Sequence, residues 1–398
     1  SHDSTGPNLT GPNLTGPNQT VPKIPESPRK RGPRAHEPVD AMTDPKVSII
    51  LIGYNDAARL PNALESLTSQ SFREIEIIAV DDCSTDGSVE ILRAAAGTDP
   101  RIRVEVLAQN SGPSAPRNRG MELASAPLIM FCDSDDRYDP HAVHNLYSAI
   151  SSMGADLVVG ATTRIISSSG ERKIWHPELY LESRVVLGLA EEPRLLFETI
   201  SVNKIYRARF LREHEIDFPP GLIFEDQLFT LKCYLAATRI GIIPEVVYYW
   251  NVEPDADVRS ITQSRHESRN ATDRITINQL MDRELESDHT LGHLKNQKFL
   301  QHELSLYLGT LFRLPESDSA ELIDILSQYV RRIPIEDFEC LRPGVRVAVY
   351  YLLTGDQGKM RQALWWEKGG GFINTSLVGR SGELWSSESA DLLGRPAA

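Results

Sequence analysis

Val47-Ser-Ile-Ile-Leu-Ile52, running straight into Gly53-Tyr54-Asn55, sets the fold. An apolar, β-branched run of this length is a strand buried on both faces, and the polar residues after it mark where the strand surfaces. Three further runs have the same texture: Glu74-Ile-Glu-Ile-Ile-Ala-Val80, Ile102-Arg-Val-Glu-Val-Leu107 and Leu128-Ile-Met-Phe-Cys132. Between the first two, Leu60, Ala63, Leu64 and Leu67 keep helical spacing behind an Asn55 or Asp56 cap and a first-turn Pro61. Ser88 to Ala95 and Pro116 to Ala124 supply two more helices. Strand alternating with helix means parallel βαβ units in an α/β fold, with any ligand at the carboxyl ends of the strands.

Around this nucleus the composition is that of a soluble globular chain. Of 398 residues 40% are hydrophobic, and 42 basic against 55 acidic residues leave a net charge of −13. An acidic balance argues against a general nucleic-acid binder, which needs a basic face for phosphates. No apolar run approaches the roughly 18 residues of a membrane span, and the first residues lack the apolar core of a signal peptide. The expected location is therefore cytoplasmic or membrane-peripheral. Cys83, Cys132, Cys233 and Cys340 lie far apart and read as buried free thiols. Residues 1–45 are rich in proline and glycine, hold no aromatic residue and read as a disordered arm. The arm repeats Gly-Pro-Asn-Leu-Thr and carries a small basic cluster, Arg29-Lys30-Arg31 with Arg34, of a kind that touches anionic lipid.

Chemistry gathers where the strands end: Gly53-Tyr54-Asn55, then Asp81-Asp82-Cys83-Ser84-Thr85-Asp86-Gly87, then Asp133-Ser134-Asp135-Asp136. Capping by Ser84, Thr85 or Asp86 explains part of this. Three carboxylates in four residues repel one another, and a hard divalent cation relieves that repulsion; an Asp-x-Asp pair with bound phosphates suits Mn2+ or Mg2+. Dinucleotide and phosphate-loop glycine patterns are missing, since Gly355-Asp-Gln-Gly358-Lys359-Met360 has neither the spacing nor the hydroxyl residue. His289 and His293 share a helix face without a third ligand at zinc spacing.

In order, Val47 to Asn55, Val80-Asp-Asp-Cys-Ser-Thr-Asp-Gly-Ser88, Gly112-Pro-Ser-Ala-Pro-Arg-Asn-Arg-Gly120 and Phe131-Cys-Asp-Ser-Asp-Asp136 resemble the inverting glycosyltransferases of family 2, with the GT-A fold. The resemblance covers residues 46 to about 265. Asn203-Lys-Ile-Tyr-Arg207, Phe224-Glu-Asp-Gln227, Tyr248-Tyr-Trp250 and Arg259-Ser-Ile-Thr262 give it the flavour of bacterial transferases that act on cell-wall and capsular polymers. The chain departs from the pattern at Pro116, which would shift the start of its helix.

The resemblance implies roles. Tyr54 and Asn55 would lie at the base, and Asp82 would accept from uracil N3–H, a donor that cytosine lacks and that TDP shares. Arg117 and Asp133 would contact the nucleotide-sugar, and Asp135 with Asp136 would hold the metal that neutralises the leaving diphosphate. Asp226 would be the general base, oriented by Glu225, although an acidic helix cap explains the same pair. Arg259 and Ser260 would hold the diphosphate; Asn203, Lys204 and Trp175 would lie on the acceptor side. The implied enzyme moves a sugar from a UDP-sugar to a hydroxyl of a cell-wall, teichoic-acid-like or exopolysaccharide acceptor. The alternatives are a transferase with another activated donor and a catalytically idle module that serves as a binding or assembly subunit.

The expected organisation is an arm over 1–45, a catalytic domain over 46–265 with its nucleotide-sugar half at 46–155 and acceptor half at 156–265, and a helical domain over 266–398. In the last, Phe299, Leu300, Leu304, Leu308, Leu311 and Phe312, then Leu322, Ile325, Leu326, Tyr329 and Val330, predict two amphipathic helices. Val345 to Leu353 adds a third, and Trp365-Trp366 ends in a glycine stop at 369–371. Such faces pack on the catalytic domain, join a homo-oligomer or touch a membrane surface.

Overall fold

The computed structural model describes residues 44–252 and 265–367. Residues 1–43 of the expected arm, with its repeat and basic cluster, Arg259, Ser260 and the glycine stop lie outside the described residues.

The four apolar runs form β1 (Val47–Gly53), β2 (Ile75–Asp81), β3 (Ile102–Val106) and β4 (Leu128–Asp133), alternating with α1 (Leu60–Thr68), α2 (Ser88–Thr98) and α3 (Ser114–Leu123). β1 lies parallel between β2 and β4, and β3 runs parallel to β2 at the sheet edge. That edge position corrects one expectation: Arg103 is exposed and Val106 is 39% exposed, because β3 has a sheet neighbour on one side only. A second correction concerns α1, whose N-cap is Arg59 rather than Asn55 or Asp56. Pro116 sits in the first turn of α3, where its missing N–H has no intrahelical partner to lose, and the helix starts two residues earlier than expected.

The chain continues through β5 (Arg137–Tyr138), α4 (Ala142–Met153), β6 (Leu157–Ile166), β7 (Glu171–Trp175), β8 (Arg184–Val186), β9 (Lys204–Arg207), α5 (Ala208–Glu213), α6 (Glu225–Ala236) and β10 (Ile240–Val252). One sheet orders these strands β3-β2-β1-β4-β9-β6-β10-β5, with β7 paired to β6 and β8 to β10. β9 runs antiparallel to both β4 and β6, so the parallel half that the sequence predicts is joined to the second half through a reversed strand. The helices flank the sheet, as α3 does over β1: a Cβ at Gly120 would collide with the side chain of Ile50.

Beyond it come α7 (Ser268–Glu284), α8 (His289–Lys298), a π-helical turn (Phe299–Leu304), α9 (Ser305–Leu311), α10 (Ala320–Val330), α11 (Pro343–Thr354) and α12 (Gln357–Glu367). The apolar positions expected on helix faces are buried here, with Phe312 and Ile325 packed at the margin. The first amphipathic stretch is not a regular α-helix, because its start widens into the π turn. Two apolar cores result. The sheet's core also takes in Ile277 and Met281 of α7, Leu285 just after it and Leu291 of α8, so these helices share it. Cys132 and Cys233 are buried as expected, whereas Cys83 and Cys340 are partly exposed. Among the described residues no helix is long and apolar enough to cross a membrane.

Candidate active site

The site lies at the carboxyl ends of β1, β2 and β4. Tyr54, just past β1, is 48% exposed and offers an open aromatic face. Asn55 adopts a positive φ of 49° and joins two strand ends: its N–H donates to Ser84 Oγ at 2.8 Å, and its Oδ1 accepts from the Thr85 N–H at 2.8 Å. Asp82 is buried and accepts from the N–H groups of Ser111 at 3.0 Å and Gly112 at 2.9 Å. Burial raises its pKa against the pull of those two donors, with Asp81 adding to the rise. A carboxylate has about four acceptor positions, so Asp82 keeps capacity for another donor.

At the end of β4, Asp133, Asp135 and Asp136 each present an oxygen within 4.8 Å of the others. Ser134 turns the other way and donates to Asp56 at 2.6 Å, in space that exists because residue 53 is glycine: a Cβ there would stand 2.7 Å from Ser134 Oγ. The three carboxylates are not equivalent. Asp136 is buried, accepting from the Tyr248 hydroxyl at 2.9 Å and the Asn251 N–H at 2.7 Å. Burial first, then Asp135 and Asp133, push its pKa well up. Asp135 is partly exposed, with the Arg59 guanidinium 3.6 Å away. Burial and Asp133 lift Asp135 to about 6 against the opposing pull of Arg59. Three hard oxygen donors carrying mutual repulsion fit Mn2+ or Mg2+, with Asp135 the best-disposed ligand and Asp136 also fastening the loop to β10.

The second carboxylate pair, Glu225 and Asp226, forms the first turn of α6 after Phe224, which adopts φ 67°. Tertiary structure brings it to the first cluster through Arg117. From the buried first half of α3, this guanidinium donates to Asp133 at 2.6 Å and to Glu225, so one forked cation joins the strand end to the helix start. Burial would lower the Arg117 pKa, but Asp133 and Glu225 raise it on balance. Burial and Asp226 push Glu225 up to about 8 against the pull of Arg117. Asp226 is less buried than Glu225, and its Oδ2 accepts from the Ser201 N–H at 3.4 Å.

Other expected site residues lie elsewhere. Asn203 and Lys204 have no exposed surface. Lys204 is ion-paired to Glu198, and Asn203 donates to Glu198 at 3.0 Å and to the Gly160 carbonyl at 2.8 Å. This is a correction: a wholly buried cation held by a buried carboxylate does not face an acceptor. Trp175 is half-buried against Trp250, ring centroids 5.8 Å apart, with the Arg164 guanidinium 5.1 Å from one ring and 4.8 Å from the other. His293 lies 2.6 Å from Asp337. Glu198, Arg59 and Tyr248 went unread as participants. Glu198 and Arg59 follow apolar residues, Leu195-Leu196-Phe197 and Ala57-Ala58, outside any motif, and Tyr248 meets Asp136 only once β10 folds beside the β4 loop.

Residues 48–214 match glycosyl transferase family 2. Over 322 residues the chain is 28% identical to poly(ribitol-phosphate) beta-N-acetylglucosaminyltransferase TarS of Staphylococcus aureus, covering 78% of this chain and 54% of that one. It is 26% identical over 316 residues to a poly(ribitol-phosphate) beta-glucosyltransferase of Bacillus spizizenii, covering 78% and 49%. The chain therefore spans about half the length of these curated relatives. A crystal structure of S. aureus TarS 1-349 in complex with UDP-GlcNAc superimposes with a TM-score of 0.65 at 24% identity, over 81% of this chain and 92% of that one, a likeness of fold. The parallel strand ends and the acidic cluster after β4 fall within residues 48–214, the part of the chain that matches glycosyl transferase family 2, on a GT-A fold.

Proposed function

We propose that the chain transfers a sugar from a UDP-sugar to a hydroxyl of a cell-wall-type polymer, with inversion at the anomeric carbon and with Mn2+ or Mg2+. The observation that carries this is Arg117 bridging Asp133 to Glu225, which joins a donor-binding strand end to a second acidic pair. Tyr54 would lie against the base and Asp82 would accept from uracil N3–H. Asp135, with Asp136, would hold the cation, which when bound supplies positive charge to the departing diphosphate. Asp226 takes the proton of the acceptor hydroxyl as its oxygen attacks the anomeric carbon; the bond from that carbon to the diphosphate oxygen breaks and UDP leaves with the electron pair. Attack opposite the leaving group inverts the anomer. Glu225, locked to Arg117, orients the turn that carries the base.

Names of the relatives, one an N-acetylglucosaminyl- and the other a glucosyltransferase acting on poly(ribitol-phosphate), support a polyol-phosphate acceptor. A panel of UDP-sugars assayed for Mn2+-dependent UDP release, with and without a ribitol-phosphate oligomer, tests the reading. Release stimulated by that oligomer is the expected result. Mn2+-dependent UDP binding without transfer from any sugar would favour the idle module instead. We assign the proposed self-association to the C-terminal helices, where Leu306 and Trp365 are exposed; light scattering from a strict monomer at all accessible concentrations removes that part.

A further inference from the structure

The start of α6 is held by more than Arg117. Phe224 has a left-handed backbone, unfavourable for a bulky side chain and stable only where the surroundings impose it. Glu225 and Asp226 follow at once, so their placement depends on that one residue's dihedral angles. Three contacts fix the segment, and all come from α7 and the end of α8. The Arg274 guanidinium lies 3.4 Å from the centroid of the Phe224 ring, the Ile223 N–H donates to Asp273 at 3.4 Å, and Lys298 donates to Gln227 Oε1. The cationic ends belong to one buried cluster around Glu303, which accepts from Lys298 at 3.0 Å and Asn278 at 2.8 Å and lies 3.6 Å from Arg274. Burial would raise the Glu303 pKa, but Lys298 and Arg274 outweigh it and hold the carboxyl at about 2. Lys298 and Glu303 are five residues apart, a spacing that diverges on a regular α-helix. The π turn of Phe299–Leu304 brings them to one side.

We propose that Arg274 and Lys298, tied together by Glu303, are positioning residues that set the Phe224–Gln227 turn and thereby Asp226, so that the C-terminal helices complete the acceptor end of the site. This rests on the reading of Asp226 as general base. Residues 223, 224 and 227 are gripped by the C-terminal helices, while 225 and 226 between them face Arg117 and the Ser201 N–H. Burying two cations and a carboxylate at one turn is costly unless each is paired, and mispairing any one leaves the others without compensation.

The test uses the full chain with Arg274→Ala, Arg274→Lys and Lys298→Met. Hydrogen exchange of the backbone amides of 223–229 reads the positioning without substrate. Exchange at least ~10-fold faster in Arg274→Ala and Lys298→Met, with the amides of β1 and β4 unchanged and partial restoration in Arg274→Lys, is expected. Unchanged exchange at 223–229 overturns the proposal, as does equal acceleration throughout the sheet, which marks general destabilisation. With the UDP-sugar that the panel finds most active, kcat should fall ~10-fold while the donor KM stays within twofold, and the loss should largely vanish in an Asp226→Asn background. Losses that add in full overturn it. Should Arg274→Ala fail to fold, Lys298→Met takes the same measurements. Normal turnover in Asp226→Asn alone would instead refute the base assignment, and the exchange result would still decide the positioning.

Discussion

The two acidic groups of the site are built differently. Asp133, which ends the central strand β4, and Asp135 and Asp136 in the loop after it are placed within four consecutive residues, and their difficulty is mutual repulsion. At the start of α6, Glu225 and Asp226 are placed by residues far away in sequence, Arg117 on one side and Arg274 with Lys298 on the other. In the first group three carboxylates repel one another beside Arg117 and Arg59; in the second, Glu225 pairs with Arg117 and the flanks of the turn are held by Arg274 and Lys298. One acidic group is therefore set by local sequence and the other by tertiary contacts.

The largest effect is expected from truncation after residue 265. It removes Ile277, Met281, Leu285 and Leu291 from the sheet's own core, together with Arg274 and Lys298, while leaving the neighbours of β4 in place. The expected outcome is loss of a cooperative thermal transition by scanning calorimetry. A truncated chain that melts cooperatively near the full chain's temperature would make both groups equally self-sufficient.

Asp226→Asn keeps the shape of the turn and removes its basicity. Transfer rate should fall by ~10²–10⁴ with UDP-sugar affinity nearly intact, measured by steady-state kinetics and calorimetric titration. A loss below about tenfold would return Asp226 to helix capping. The comparison would then be between a site and a structural turn.

Arg117→Met addresses the link between the groups. It leaves Asp133 and Glu225 without their shared cation, and removing one partner of a buried pair costs about 3–5 kcal/mol. Urea denaturation measures this. A change under about 1 kcal/mol would mean that the two groups are energetically independent.

The smallest change is expected at Asp135. The Asp135 carboxyl stands at about 6 in the folded chain against an ordinary 3.8, so protonation favours the folded state. The stability tied to this group is complete below about pH 4 and is lost as pH rises through about 6. Without metal, Asp135→Asn should therefore raise Tm at pH 7.5 by about 2–4 °C, and the advantage should disappear by about pH 4. Mn2+ should reverse the order by stabilising the parent chain alone. A difference in Tm independent of pH would remove the electrostatic account of this cluster.

Donor-side elements were legible for a plain reason. β1, β2 and β4 are buried on both faces, so continuous apolar runs end where polar residues begin, and the chemistry sits at that boundary. β3 has the same texture but lies at the edge, a position no local pattern encodes. Asn203 and Lys204 look like polar surface residues in the sequence, yet Glu198, five and six residues away, lets both be buried. Glu198 carries no motif to announce that pairing.

By itself the sequence determined the strand and helix alternation, the carboxylates after β4 and the acidic turn before an apolar helix, because period and composition act over a few residues. Tertiary structure alone decided that Arg117 joins those two turns, that β9 runs reversed between β4 and β6, and that Arg274 and Lys298 reach Phe224 and Gln227. Pairing of buried charges depends on which groups lose water together, and that is fixed only when distant segments pack.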